Sequence, residues 1–441
     1  MLIEFSVANY RSFRDEVTFS MVASPIKAGG AKLDERNQFP APGDVNLLTS
    51  AAIYGANASG KSNLVAAINF MRRFVMTSSN ISEVDEGIDV EPFRLSTETD
   101  TEPSFFEVVF IAEEQHYRYG FEVNAERVVA EWLHLVPTIR TPKLIEDDHD
   151  DIVLFKREWD DIIIGDEFEA EGLDLKNKTR SNVLFLSVVA LFAGAIAQTV
   201  LKWFRTCNSL RGLSDRSLLP FTISQMRKGE ASEKIEELVR SLDLGIDGIQ
   251  LAIIQESTDF HPRQTGVIRI QRGEHAEDTE FERVSIHTIH RQYDDEGNIV
   301  GESLFTMDEH ESQGTQKLFA LSGPLLDTLE KGKVLFVDEL DARLHPLLTR
   351  EIVNLFNDPD WNTNHAQLIF VTQDTNLLSH QLLRRDQIWF TEKDHYGASH
   401  LYSLVEFKID NDAPFERDYI QGRYGAIPFL GNIRQAILED N

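Results

Sequence analysis

The chain has 441 residues, a formal net charge of −30, 42% hydrophobic residues and one cysteine, Cys207. That length and apolar content provide cores for two or three domains, while a lone cysteine excludes a disulfide framework and predicts a reducing, cytoplasmic setting. The charge excludes nucleic-acid binding driven by the overall field, since a phosphate backbone would be repelled.

The opening residues alternate like a strand, include Glu4 and lack a basic leader, so no signal peptide is expected. Residues 51–54 form an apolar strand that runs into Gly55-Ala56-Asn57-Ala58-Ser59-Gly60-Lys61-Ser62, and a helical run follows over 64–74. This complete G-x-x-x-x-G-K-[ST] loop, in strand–loop–helix context, predicts a site for a nucleoside triphosphate, ATP, with Mg²⁺. Its glycines let successive N–H groups turn onto phosphates, and the helix presents its positive end. Lys61 reaches the β- and γ-phosphates, and Ser62 ligates the metal. Alternating stretches at 105–111, 117–123 and 128–136 then read as a meander of strands.

The middle of the chain carries weaker signals. Glu146-Asp147-Asp148-His149-Asp150-Asp151 lacks the spacing of a defined metal site and reads as a solvated loop. Residues 181–201 contain no charge and are long enough to span a bilayer, but Asn182, Ser187, Gln198 and Thr199 interrupt them, so a buried core helix is expected and no membrane partner. Between Lys176 and Lys228 nine basic residues (Lys176, Lys178, Arg180, Lys202, Arg205, Arg211, Arg216, Arg227, Lys228) face one acid, Asp215. This region is the candidate surface for nucleic acid or an acidic partner, although scattered basic residues are more often simply solvated. Helix is expected over 183–204 and 233–242, with strand-like pieces at 249–254 and 265–271. No long heptad pattern predicts a coiled coil.

Two further segments carry chemistry. Ser312-Gln313-Gly314 opens a helix and offers a hydroxyl and N–H groups to an anion, the alternative being an ordinary capped helix. Residues 334–337 form an apolar run ending in Asp338 and Glu339, as expected of a buried parallel strand delivering acids at its C-terminal end. Asp338 would hold the Mg²⁺ shell, and Glu339 would deprotonate the attacking water.

In their order and spacing these segments resemble the ABC-type ATPases of the SMC, RecF, RecN and OLD group. Asn9-Tyr10-Arg11-Ser12-Phe13 is similar to the group's N-terminal signature, and Leu340-Asp341-Ala342-Arg343-Leu344-His345-Pro346 to its D-loop. The ending Tyr419-Ile420-Gln421-Gly422-Arg423-Tyr424-Gly425-Ala426-Ile427-Pro428 resembles bacterial abortive-infection ATPases such as AbiL and RloA, which are encoded beside a nuclease. About residues 1–135 and 305–441 carry the match.

The resemblance implies an α/β, ABC-type P-loop ATPase head with a mixed β-sheet. Its halves would be residues 1–137 and 305–441, and residues 138–304 would form a mostly helical insertion. It also implies a homodimer or higher homo-oligomer in which Ser312 and Gly314 of one copy cap ATP held by Lys61 and Ser62 of another, with Asp341 communicating across. The implied role is an antiphage sensor or scaffold acting on a separate nuclease effector. A RecF- or SMC-type DNA-repair ATPase is the alternative, to be separated by DNA-stimulated turnover. A built-in nuclease is disfavoured, because Asp410 and Asp412 are followed by only about thirty residues. One position departs from the group: Gln373 stands where a γ-phosphate histidine is usual, and a neutral amide predicts slow hydrolysis.

Overall fold

The computed structural model describes residues 1–28, 32–80, 87–137, 151–212, 215–242, 245–254, 267–271 and 281–428. They form two compact units, Met1–Ser209 with Gly332–Asp338 and Val353–Asn441, and Leu210–Lys331 with Glu339–Ile352.

The first unit is built on two large sheets. One orders six strands as Cys207–Arg211, Val334–Asp338, Gln367–Val371, Ser50–Gly55, Ile388–Lys393 and Ser399–Ser403. The four strands from Val334–Asp338 to Ile388–Lys393 run parallel, and Ser399–Ser403 is antiparallel, so the sheet is mixed. Every residue of Ser50–Gly55 and of Gln367–Val371 is buried, which explains their near-continuous apolar sequence: parallel strands are covered on both faces. The helix Lys61–Thr77 follows, burying Leu64, Val65, Ala67, Ile68, Met71, Phe74 and Val75 on one helical stripe.

The second sheet is a seven-stranded antiparallel meander ordered Asp161–Ile164, Ile152–Glu158, Val128–Leu135, Gln115–Val123, Ser104–Ala112, Leu2–Ala8 and Val17–Ser20. The compact units therefore cut the chain elsewhere than at 137 and 304: Ile152–Glu158 pairs with Val128–Leu135 and extends the N-terminal sheet. A buried pair fixes that extension. Glu131 accepts from the backbone N–H groups of Phe185 and Leu186 at 2.6 and 3.0 Å, capping the helix Phe185–Leu191. Arg157 lies 3.9 Å from Glu131 and donates to the carbonyls of Trp159 and Val183. Burial pushes the Glu131 carboxyl up, and the arginine and backbone donors oppose that shift.

The uncharged run is two helices, Phe185–Leu191 and Ala195–Thr206, bent by 106°. The break falls where Ala193 has φ 67° and Gly194 caps the second helix, so the single helix expected there does not form. Among the described residues no single helix is long and apolar enough to cross a membrane, although the bent pair passes by length and composition. Both helices pack into the aromatic core, where Phe110 stacks on Trp203 at 4.1 Å, and Arg72 of the helix Lys61–Thr77 donates to the Phe204 carbonyl at 3.0 Å. Burial in the same core pushes the Cys207 thiol up to about 12, which leaves it unreactive at neutral pH.

The second unit combines the helices Asp215–Met226, Glu230–Leu242 and Gln313–Lys331 with a four-stranded antiparallel sheet. Phe281–Tyr293 is its spine, paired with Gly248–Ile254, Val267–Gln271 and Ile299–Thr306. Residues 265 and 266 of the strand-like stretch, and residues 146–150 of the acidic cluster, lie outside the described residues. Ile223, Ile235, Val239, Val284, Ile286 and Phe319 close the core. Pro324 lies inside the helix Gln313–Lys331 and has no N–H to give the carbonyl of Ala320. The Thr222 hydroxyl takes its place at 2.8 Å, and Gly323 lets the helices meet, since a Cβ there would fall 2.6 Å from that hydroxyl.

Candidate functional site

In the first unit the phosphate-binding loop joins the buried strand Ser50–Gly55 to the helix Lys61–Thr77. Gly60 has φ 112° and caps the helix with no side-chain hydrogen bond, so no side chain at the cap stands between the helix start and an incoming anion. A Cβ on Gly60 would also collide with the Ser399 hydroxyl. Ala58 takes φ 62° within the same turn. Lys61 is buried, and its ammonium donates back to the carbonyls of Gly55 at 2.7 Å and Ala56 at 2.9 Å.

The loop is tied to distant parts of the chain. The Ser62 hydroxyl donates to Asp338 Oδ1 at 3.0 Å, across 276 positions of sequence. One strand separates theirs: Gln367–Val371 pairs with both Val334–Asp338 and Ser50–Gly55, which puts the loop and the acid at the same edge of the parallel sheet. Gln373, two residues past Gln367–Val371, is exposed, and its amide donates to Asn57 Oδ1 at 3.1 Å. The phenol of Tyr54 donates to the Asp374 carbonyl at 3.1 Å, fixing the chain just after Gln373.

Three residues that support the loop, Asn63, Thr391 and Ser399, carried no sequence signal. Ser59 Oγ and Thr391 Oγ1 lie 2.6 Å apart, and Ser399 Oγ donates to the Ser59 carbonyl at 2.6 Å. Asn63 in the first helical turn donates to Ser12 Oγ at 2.6 Å, and the Ser12 carbonyl accepts from the Ser399 N–H at 2.7 Å. Single hydroxyls on separate strands have no spacing that sequence can reveal. The N-terminal motif also works as a turn: buried Asn9, at φ 47°, donates to the carbonyls of Thr99 and Glu102 and accepts from Phe93 N–H. Beside Asn63 opens a cleft of about 410 Å³ whose lining includes Arg11, Arg94 and Lys393.

In the second unit Ser312 is exposed and caps the helix Gln313–Lys331, its Oγ accepting from Thr315 N–H at 3.1 Å. Glu311, just before it, is anchored by His290 Nε2 at 2.7 Å. Gly314 is half-buried, and a Cβ there would lie 3.0 Å from the Arg343 carbonyl, so the helix start packs closely on the 339–344 loop. In that loop Glu339 has φ 57° and Arg343 φ 65°, and the Asp341 carbonyl accepts from Leu344 N–H at 3.1 Å.

Of the basic residues, Lys176, Lys178, Arg180, Lys202 and Arg205 belong to the first unit, and Arg211, Arg216, Arg227 and Lys228 to the second. Lys202 pairs with Glu113 at 3.3 Å. Among the described residues no group of three or more His, Cys, Asp or Glu side chains could hold a metal ion.

Comparison with known proteins adds three findings. No curated protein matches the chain. Solved structures similar to it include the SMC head domain from Thermotoga maritima, at 14% identity and a TM-score of 0.39, covering 91% of this chain and 98% of that one. They also include the Smc head domain with an extended coiled coil bound to the C-terminal domain of ScpA from Pyrococcus furiosus, at 12% and 0.40, covering 92% and 96%. A third is the Smc head domain with a coiled coil and joint from Pyrococcus yayanosii, at 12% and 0.43, covering 96% and 99%. The mixed sheet, with its phosphate-binding loop and the acid one strand away, is the arrangement of a P-loop ATPase core. Residues 50–379 match the family described as "AAA domain, putative AbiEii toxin, Type IV TA system", and the chain belongs to that AAA family.

Proposed function

We propose that this chain is an ATP-binding, slowly hydrolysing ABC-type ATPase whose copies close on ATP as a dimer, and that it serves as sensor or scaffold in antiphage defence, controlling a separate nuclease. The observation that carries the nucleotide half is the Ser62–Asp338 hydrogen bond at 3.0 Å. A hydroxyl and a carboxylate held together beside a phosphate-binding loop suit a hard, oxygen-seeking cation. Ser62 and Asp338 would hold Mg²⁺, which supplies charge neutralisation on the β- and γ-phosphates.

The chain's own groups then take defined parts. Lys61 exchanges the carbonyls of Gly55 and Ala56 for phosphate oxygens, and the backbone N–H groups of Gly60, Lys61 and Ser62 surround the anion. Glu339 accepts a proton from the attacking water as the bond from the γ-phosphorus to its bridging oxygen breaks, leaving ADP and phosphate. Gln373, already reaching Asn57, donates an N–H to the γ-phosphate. Being neutral, it stabilises the developing charge less than a cation would, which sets a slow rate. From the second copy, the Ser312 hydroxyl and the Gly314 N–H complete the γ-phosphate shell, and Asp341 lies at the shared boundary. The defence role draws support from the residues 419–428, which resemble the AbiL and RloA kind, and from the family's description as an AbiEii toxin of a type IV toxin–antitoxin system.

The test is ATP binding by Lys61→Ala, which is expected to lose measurable affinity while remaining folded. Equal affinity in that variant and in the wild type would overturn the assignment.

A further inference from the structure

Lys317 opens the second turn of the helix Gln313–Lys331, three residues after Gly314, and has no exposed surface. Burying an ammonium is costly unless its hydrogens are met. Here three carbonyls meet them: Glu339 O at 3.2 Å, Leu340 O at 2.9 Å and Ala342 O at 2.6 Å. They belong to one short loop that turns around the charge.

The Glu339 carbonyl has a second donor, the Ala342 N–H at 3.2 Å. Its residue sits at φ 57°, a left-handed conformation that a side chain as large as glutamate seldom adopts without surrounding support. The Lys317 ammonium is a large part of that support, because it holds the carbonyl that fixes this peptide plane. The backbone sets where the Glu339 side chain starts, so a cation that holds this peptide plane bears on where the carboxylate can reach. The same helix begins at Ser312 and Gly314, about one turn from Lys317, and Gly314 is in turn packed against the Arg343 carbonyl.

We propose that Lys317 is a positioning residue that aims Glu339, and that it links an anion arriving at the Ser312–Gly314 helix start to the base in the neighbouring loop. The proposal rests on the ATPase reading above and deepens it. A cation serving only to seal the core would affect folding and leave the kinetics of the folded protein alone.

The experiment measures ATP affinity, turnover and thermal unfolding of the full chain for Lys317→Met, alone and combined with Glu339→Gln. Lys317→Met is expected to lower kcat at least about tenfold with ATP affinity within about threefold, because an interaction needed only for the chemical step is lost. In the Glu339→Gln background the same change should not lower the residual turnover further, since a residue acting through Glu339 has nothing left to aim. Wild-type turnover in Lys317→Met, or a full additional loss on top of Glu339→Gln, would overturn the proposal.

Should Lys317→Met not fold, Lys317→Gln, which keeps a shorter neutral donor, decides: reduced kcat at unchanged affinity supports the tether, and wild-type kcat refutes it. Two unfolded variants would assign Lys317 to folding alone and refute it as well. Failure of the underlying reading looks different, because wild-type turnover no higher than that of Lys61→Ala would remove the ATPase itself before any Lys317 variant is compared.

Discussion

The phosphate-binding loop and Ser312–Gly314 each lie at the start of a helix, yet their polar groups are used differently. Around the loop, residues far apart in sequence already meet: Ser62 with Asp338, Gln373 with Asn57, and Asn63 with Ser12. At the other helix start, Ser312 is exposed and its hydroxyl caps its own helix. A preorganised shell loses little freedom when its ligand arrives. An exposed cap offers one hydroxyl and a helix end, and needs the rest of a site brought to it. On the proposed function, the first region binds ATP alone and the second acts only against a neighbouring copy.

The largest effect that would break this contrast is at Ser312. Ser312→Arg should leave ATP affinity nearly unchanged and lower hydrolysis by about 10²-fold or more, as bulk replaces a donor at the shared boundary. Hydrolysis at the wild-type rate, measured by phosphate release, would mean that this helix start does not serve the nucleotide.

A smaller effect tests whether the second unit's packing can be loosened independently of the loop. Thr222→Val keeps shape but leaves the Ala320 carbonyl, orphaned by Pro324, without its donor, at a cost of about 1–3 kcal/mol. Denaturant unfolding should show that loss while ATP affinity holds, and an unchanged midpoint would contradict the packing account.

The smallest effect lies at Gln373, where Gln373→His is expected to raise kcat several-fold with ATP affinity within a few-fold, because stabilisation gained in the transition state speeds turnover without tightening ground-state binding. A slower histidine variant would show that the glutamine is itself tuned for catalysis or switching.

What could be read from the sequence follows the same division. The loop, its strand and helix, and the Asp338 strand are legible because phosphate binding and double-sided burial each impose a local pattern of residues. Thr391 and Ser399 were not, since each is one hydroxyl whose partner, Ser59, lies more than 300 positions away in the loop. The run after Ser181 shows only its lack of charge, and the bend at Ala193 depends on a backbone angle that alanine does not advertise. Ile152–Glu158 could not be assigned to the N-terminal sheet without seeing Arg157 enter the core beside Glu131. Phe281–Tyr293, thirteen residues long, is held by three partner strands and not by strong alternation of its own.

The most direct test of the central claim is the oligomeric state of Glu339→Gln with Mg²⁺ and ATP, measured by analytical ultracentrifugation. With binding retained and the base removed, the account predicts a stable ATP-dependent dimer that is absent without nucleotide and absent when Lys61→Ala is added to the same chain. The same sedimentation with and without ATP, in a protein shown to bind it, would contradict the closing of two copies on the nucleotide.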